Sequence, residues 1–254
     1  MKKSFDLISN IVPFVIIIIL WEILASAGFL NSSLFPSPTS VLHSFVEMVS
    51  SSELFIDLSY TLGRTFIGFV LGSIIGIVLG VLTARINIVR RLIEPIIQVC
   101  RPIPPIAIVP LAVVWLGLSE FSKITIIVWG VFFPVWINTH LGVAAVENSL
   151  IWAARSLGVS EKRLLFFVII PASLRLIIAG MRVAIAIAFI CVVVSEMMGA
   201  TAGIGYRINT SYLVFRVDRM IVGLLVLGAL GALADWSFVK FINRIFPWLH
   251  SEIN

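Results

Sequence analysis

Long apolar runs separated by short polar segments make up most of this chain. A membrane-spanning helix takes about 20 mostly apolar residues, and six runs reach that length: 11–30, 62–84, 95–118, 123–145, 172–198 and 219–239. Hydrophobic residues make up 60% of the chain and charged residues 12%, with a mean hydropathy of +1.12. That leaves too little polar surface for a water-soluble protein. We therefore predict an all-α membrane protein in which residues 1–254 form a single domain of six transmembrane helices.

The basic residues between the apolar runs predict the orientation in the bilayer. With the N-terminus in the cytoplasm, 13 of the 18 Lys and Arg residues fall on the cytoplasmic side, as the positive-inside rule requires. Those expected outside are Arg64, Lys123, Arg207, Arg216 and Arg219. Both termini and the polar segment at about 147–171 should then be cytoplasmic. The net charge of +5 does not indicate nucleic acid as a partner, because no basic run is interleaved with aromatic residues.

The polar segment from Trp152 to Pro171 predicts a short helix–turn–helix between two apolar runs. Gly158 permits the turn that ends the first helix. The Ser160 hydroxyl can cap the start of the second helix, and Pro171 should end it.

The first of these two helices has a small apolar face. Ala153, Ala154 and Leu157 follow helical spacing along it, and the two small side chains would let another protein approach closely. An ordinary basic loop at the end of a membrane helix would account for the same residues.

Glycines recur at every fourth position of the second apolar run, at Gly68, Gly72, Gly76 and Gly80. They form a stripe without side chains along one face of a helix, which favours close packing against a neighbouring helix. A flexible gate is the alternative interpretation.

Prolines crowd the third apolar run and its approach, at Pro95, Pro102, Pro104, Pro105 and Pro110. Each removes a backbone donor at a depth where lipid cannot replace it, so an interrupted helix must be buried in protein or line a wet cavity. We expect this run to line a pathway. Alternatively, residues 101–105 form an interfacial entry and only Pro110 bends the helix.

Glu196 lies near the end of the fifth apolar run, where an ionisable residue is costly and is a functional candidate by default. Ser195 or a neighbouring helix could instead satisfy its carboxylate. The basic residues that follow, Arg207, Arg216 and Arg219, could attract an anion or an acidic partner, or belong to a solvated loop.

The sparse histidines and cysteines do not suggest a metal site or a disulfide. His43, His140 and His250 have no ligand spacing to one another, and Cys100 and Cys191 lie far apart in the sequence. Ser, His and acidic residues are scattered, which argues against a membrane enzyme. No phosphate-binding GxxxxGK[ST] motif is present.

Several segments resemble one known family. Ala153-Ala154, Gly158 and Val168-Ile169-Ile170-Pro171 are spaced as in the EAA loop of ABC importer permeases, although Trp152 stands where that family usually has Glu. Three further segments are similar to the nitrate, sulfonate and taurine permeases: PSPTSVLHSF, RPIPPIAIVPLAVVWLGLSEFSK and GIGYRINTSYLVFRVDRMIVGLLVLGALGALADW. The last of them resembles the sulfonate branch most. A Glu at the position of Glu196, followed by Gly203-Ile204-Gly205, is familiar in those permeases.

The resemblance implies a type I importer fold in a bacterial inner membrane, with a cytoplasmic coupling helix. It also implies a homodimer, two cytoplasmic ATPase subunits that bind ATP and magnesium, and an external substrate-binding protein. The coupling contacts would come from Trp152, Ala153, Ala154, Leu157, Gly158 and Pro171. The translocation pathway would involve Pro102, Pro105, Pro110, Glu196, Gly203 and Gly205.

The expected cargo is a small anion such as an aliphatic sulfonate, taurine or nitrate. A thiamine-precursor pyrimidine is another cargo of the same subfamily. An ion-coupled secondary transporter or a channel is the alternative class, and it would usually carry internal repeats or an ion relay within the membrane.

Overall fold

The computed structural model describes residues 2–27 and 31–249, and every regular element in them is helical. The helices are α1 (Lys2–Ser26), α2 (Pro38–Ser50), α3 (Glu53–Arg85), α4 (Asn87–Cys100), α5 (Pro105–Leu116), α6 (Glu120–Ala144), α7 (Asn148–Ser156), α8 (Glu161–Leu164), α9 (Ile170–Met197), α10 (Ile204–Leu213) and α11 (Val217–Ile245). A π-helical turn, Leu165–Ile169, joins α8 to α9, and a 3₁₀ turn, Pro247–Leu249, follows α11.

The helices confirm the all-α class, and the described residues contain four or five of the six predicted spans. Four helical elements in the described residues are long and apolar enough to cross a membrane: α3, α6, Glu161–Met197 and α11. Helices α4 and α5 make a fifth only if counted together, because they meet at 100°. The described side chains of α1 include the apolar stretch Val15–Ser26, and residues 28–30 of the predicted first span lie outside the described residues.

The bend between α4 and α5 corrects the expectation of a single third span at 95–118. Pro104 and Pro105 follow each other at the start of α5. Neither can donate a backbone hydrogen bond, so a continuous helix through this point would lose two bonds in succession. The chain turns instead, and α5 begins beside Gly130, near the middle of α6.

Helices α3, α6 and α9 form the centre of the bundle. Ile127, Val131 and Val135 of α6 are fully buried there, together with Ala184 and Ala188 of α9. Burying apolar side chains between helices fixes how these three elements stand against one another.

The four glycines of α3 lie directly against α6. A Cβ added at Gly68, Gly72, Gly76 or Gly80 would lie 2.5, 2.8, 2.9 or 2.6 Å from the nearest side-chain atom of Ile127, Val131, Val135 and Thr139, respectively. The residue numbers of the paired positions increase by four on both helices, so α3 and α6 run parallel. The stripe therefore sets the distance between the two helix axes.

The polar segment also departs from expectation at two residues. The Ser160 side chain makes no capping hydrogen bond at α8. Pro171 does not end a helix, since it lies in the first turn of α9, where a missing N–H is tolerated. The π-helical turn before it carries the chain from α8 into α9 without a break.

The close approach of α3 to α6 gives a stability prediction. We expect Gly72→Ala to destabilise the protein by about 1–3 kcal/mol, because the new methyl group overlaps Val131. Gly63→Ala is the matched control on the same helix, since nothing lies within 4 Å of its added Cβ. Helix propensity makes that change neutral or stabilising by up to about 1 kcal/mol. The free energy of unfolding in mixed detergent micelles measures both effects. Equal stability of the two variants would contradict the close packing of α3 against α6.

Candidate functional site

A buried polar cluster joins α3, α6, α9 and α10 where α9 ends. Glu196 at its centre has 0% exposure. Its carboxylate accepts hydrogen bonds from Thr61 Oγ1 at 3.0 Å, from Arg64 Nη1 at 2.8 Å and from the Gly205 amide at 2.9 Å. Ser195 does not take part, because its hydroxyl donates to the Val192 carbonyl. Two neighbouring helices, α3 and α10, therefore satisfy the carboxylate.

Arg64 is the cation of this cluster, and the sequence analysis missed it. Charge counting placed it on the outer polar side, whereas its exposure is only 4%. Nε and Nη2 donate to the two oxygens of Glu120 at 2.6 and 2.7 Å, and Nη1 donates to Glu196 and to the Ala202 carbonyl. Its occurrence inside an otherwise apolar run was the available signal, because an arginine there needs a buried partner.

The start of α10 is held by acidic and hydroxyl groups from two other helices. The amide of Gly203 donates to Asp57 Oδ1 at 2.8 Å and that of Ile204 to Thr61 Oγ1 at 2.9 Å, while Gly205 donates to Glu196. The first amides of a helix have no partner within it, and they attract negative charge. Asp57 and Glu196 therefore position α10 on α3 and α9.

Gly203 and Gly205 are required by how closely the backbone approaches Glu196. Gly203 has φ +127°, and a Cβ there would lie 2.5 Å from both oxygens of Glu196. A Cβ on Gly205 would lie 2.5 Å from the Val193 carbonyl oxygen. Larger residues at either position would push the amides away from the carboxylate.

The basic residues after Glu196 are not a solvated loop in the described structure. Arg207 pairs with Asp57 at 2.7 Å and with Glu53 at 3.2 Å. Arg219 pairs with Glu47 at 2.6 Å, and this hydrogen bond lowers the pKa of the Glu47 carboxyl.

Arg216 also forms an ion pair, as Arg207 and Arg219 do. It lies 2.7 Å from Asp218, which also accepts a hydrogen bond from Ser44. The hydrogen bond to Asp218 raises the pKa of Arg216 above its usual value. Helices α2, α3, α10 and α11 are thus joined by carboxylates that neutralise the arginines.

The predicted pathway prolines lie away from this cluster. Pro102 is in the bend between α4 and α5, Pro105 is the first residue of α5, and Pro110 lies within α5. Pro105 faces a cavity of about 670 Å³ between α5, α6 and α9. The structure therefore groups Glu196, Gly203 and Gly205 in one place and the prolines in another.

The predicted coupling residues of α7 face in different directions. Ala154 is only 8% exposed and packs with Ile151 and Leu164 in the core between α3, α6 and the π-helical turn. Trp152 is 65% exposed and Leu157 is 83% exposed; Ala153 is exposed as well. The single apolar face expected for Ala153, Ala154 and Leu157 is thus wrong, because Ala154 points into the protein.

The turn after α7 is held by two local interactions. Gly158 adopts φ +73°, a left-handed conformation that glycine accepts without strain. Arg155 Nε pairs with Glu161 Oε1 at 2.9 Å across the turn. Together they fix the direction in which α7 projects from the bundle.

Comparison with known proteins identifies relatives over nearly the whole chain. A family profile described as "Binding-protein-dependent transport system inner membrane component" matches residues 72–247. The putative aliphatic sulfonates transport permease protein SsuC of Bacillus subtilis is 32% identical over 98% of this chain and 91% of its own length. A putative ABC transporter permease protein of Methanocaldococcus jannaschii is 36% identical over 91% of this chain and 88% of its own.

A solved structure shows the same fold. A chain of the MetNI methionine ABC transporter, in an inward-facing conformation, superposes with a TM-score of 0.65 at 20% identity. The match covers 74% of this chain and 94% of that one. This likeness concerns the fold alone.

The buried Arg64–Glu196 pair gives a second stability prediction. We expect Arg64→Met to destabilise the protein by about 3 kcal/mol, because it leaves the Glu196 carboxylate buried without its cation. Arg90→Met removes an exposed pair with Glu94 and should cost less than about 0.5 kcal/mol.

Detergent unfolding of Arg64→Met, Glu196→Gln and the double variant measures the coupling. The double variant should be more stable than the sum of the single losses implies, because the two side chains interact directly. Strict additivity would show that the pair is not energetically linked.

Proposed function

This chain belongs to the family of inner membrane components of binding-protein-dependent transport systems, and we propose that it carries a small anion across the membrane. It is the permease subunit of an ABC importer, a multi-pass inner membrane protein that works with an ATPase and a binding protein. The relatives are permease subunits, and ATP hydrolysis belongs to the partner. We propose that ATP and magnesium bind to that partner rather than to this chain.

The observation that carries the proposal is one continuous helical element. It runs from Glu161 through the π-helical turn to Met197, with α7 at one end and Glu196 at the other. Displacement of α7 would therefore move the Arg64–Glu196 cluster through a stiff helix rather than through a flexible linker. A permease without its own ATPase needs such a connection.

The charge distribution supports one orientation. With both termini and α7 in the cytoplasm, most Lys and Arg residues lie inside, and the Arg64–Glu196 cluster lies toward the outer surface. There it joins α3, α6, α9 and α10. A change in the tilt of α9 would have to break or shift these hydrogen bonds. The cluster would therefore stabilise one conformation of the outer side of the pathway.

The assembly proposed is a homodimer with two ATPase subunits and an external binding protein. At α7, Trp152, Ala153 and Leu157 are exposed to the proposed ATPase cleft. Ala154 instead packs against its own bundle. Trp152 supplies an aromatic contact where an EAA loop usually supplies a carboxylate. Large aromatic side chains are frequent anchors of interfaces.

The cargo proposed is a sulfonate-like anion. One relative is described as an aliphatic sulfonates permease, and the final segment of this chain resembles that branch. Nitrate, taurine and a thiamine-precursor pyrimidine are the competing cargoes, because the binding protein selects among them before the permease is reached.

Uptake by the reconstituted transporter tests the proposal. Sealed liposomes that carry the permease, the ATPase subunits and the binding protein should accumulate a sulfonate. They should do so only when hydrolysable ATP is present on the side of the membrane that holds the ATPase subunits. The non-hydrolysable analogue serves as the control. Uptake driven by an ion gradient without ATP would instead support the secondary-transporter class.

The exposed side chains of α7 give a prediction for assembly. We expect Leu157→Asp to reduce copurification of the ATPase subunits at least about tenfold, because a charge replaces an apolar contact in the proposed seat. Leu213→Asp is the control, since Leu213 is also strongly exposed but lies at the end of α10. Undiminished copurification with Leu157→Asp would place the ATPase elsewhere.

Ala154→Asp is a poor substitute for this test. Its carboxylate would be buried among Ile151 and Leu164, which destabilises α7 itself. Loss of assembly in that variant would follow from unfolding of the projection, whatever α7 contacts.

A further inference from the structure

A groove runs along α6 beside the bend between α4 and α5. Its larger part is the cavity of about 670 Å³, and a second part of about 570 Å³ lies between α4 and α6. Arg101 and Ile137 line both cavities, which adjoin at these residues. Arg101 thus lies at the junction, in the segment between α4 and α5.

The larger cavity has mainly apolar walls. Trp129, Phe133 and Ile187 line it together with the first residues of α5. Trp129 and Phe133 stack edge to face, with ring centroids 5.1 Å apart, and Trp129 Nε1 donates to the Ile103 carbonyl at 3.5 Å. These contacts hold an aromatic wall beside the bend.

Arg101 is the charged residue among those that line this larger cavity, and it makes no ion pair with the side chains that the structure describes. In the smaller cavity, by contrast, Arg90 and Glu94 neutralise each other at 2.9 Å. A cation beside low-dielectric walls produces a strong local potential that concentrates anions. An apolar cavity with one unpaired guanidinium therefore favours a ligand with both a negative group and an apolar part.

We propose that Arg101 binds the acidic group of the transported anion while the Trp129–Phe133 wall contacts its carbon chain. The ligand class is a small organic anion with a short apolar chain, such as an alkanesulfonate. A guanidinium matches the oxygens of a sulfonate through two parallel N–H donors. This inference rests on the proposed function, and it assigns to the permease itself a preference for organic over inorganic anions.

Thiol labelling tests the electrostatic part without any cargo. Asn138 also lines the larger cavity, so Asn138→Cys can be introduced after Cys100 and Cys191 have been replaced by alanine. A negatively charged methanethiosulfonate should react faster than a positively charged one of similar size. Adding Arg101→Gln should lower that ratio about tenfold, whereas Arg91→Gln, on the same side of the bend but outside the cavity, should leave it unchanged.

Transport tests the recognition of the chain-bearing anion. The complete transporter is placed in phosphatidylcholine liposomes with butanesulfonate or nitrate as the probe. Arg101→Gln should lower butanesulfonate uptake per ATP hydrolysed about tenfold, Arg101→Lys should recover part of it, and Arg91→Gln should match the wild type.

The outcomes separate this inference from the proposed function. Wild-type protein that transports neither probe would refute the anionic cargo, and the labelling ratio would then decide whether Arg101 concentrates anions. Normal butanesulfonate uptake by Arg101→Gln would overturn the inference while leaving the importer intact. If the effect of Arg101→Gln appears only when phosphatidylglycerol is added, the groove binds an anionic lipid and the inference is wrong.

Discussion

The structure depends on burying Arg64 against two carboxylates. A lone charge inside a helical bundle is costly, whereas a paired and hydrogen-bonded one is tolerated. Arg64 bridges Glu120 on α6 and Glu196 on α9, so the N-terminal half of α3 and the start of α6 must meet the end of α9. Thr61 and Asp57 extend the same constraint to α10. The arrangement of four helices follows from satisfying these few groups.

Much of the fold could be predicted from apolar runs, and the family from its motifs. The partners of the charged residues could not be predicted in this way. Glu53 and Asp57 precede the predicted span at 62–84, yet both belong to α3 and are neutralised by Arg207. No local pattern reveals a partner some 150 residues away. The orientation of Ala154 was missed for a different reason, since the inward face of a short helix depends on what it packs against.

The bundle combines a stiff centre with less constrained flanks. Glycines bring α3 within direct contact of α6, and α6 packs along α9; such backbone proximity leaves few alternative packings. Helix α11 has few buried residues by comparison, and it packs against α2, α9 and α10. The close packing of α3, α6 and α9 thus contrasts with the lighter burial of α11.

The π-helical turn Leu165–Ile169 has a consequence for helical phase. A π turn accommodates one residue more than an α-helical turn, and one residue corresponds to about 100° of rotation. The turn therefore sets the azimuth of α7 relative to the faces that α9 presents to its neighbours. Homologues that lost a single residue here would keep every contact residue and still aim their projection in another direction.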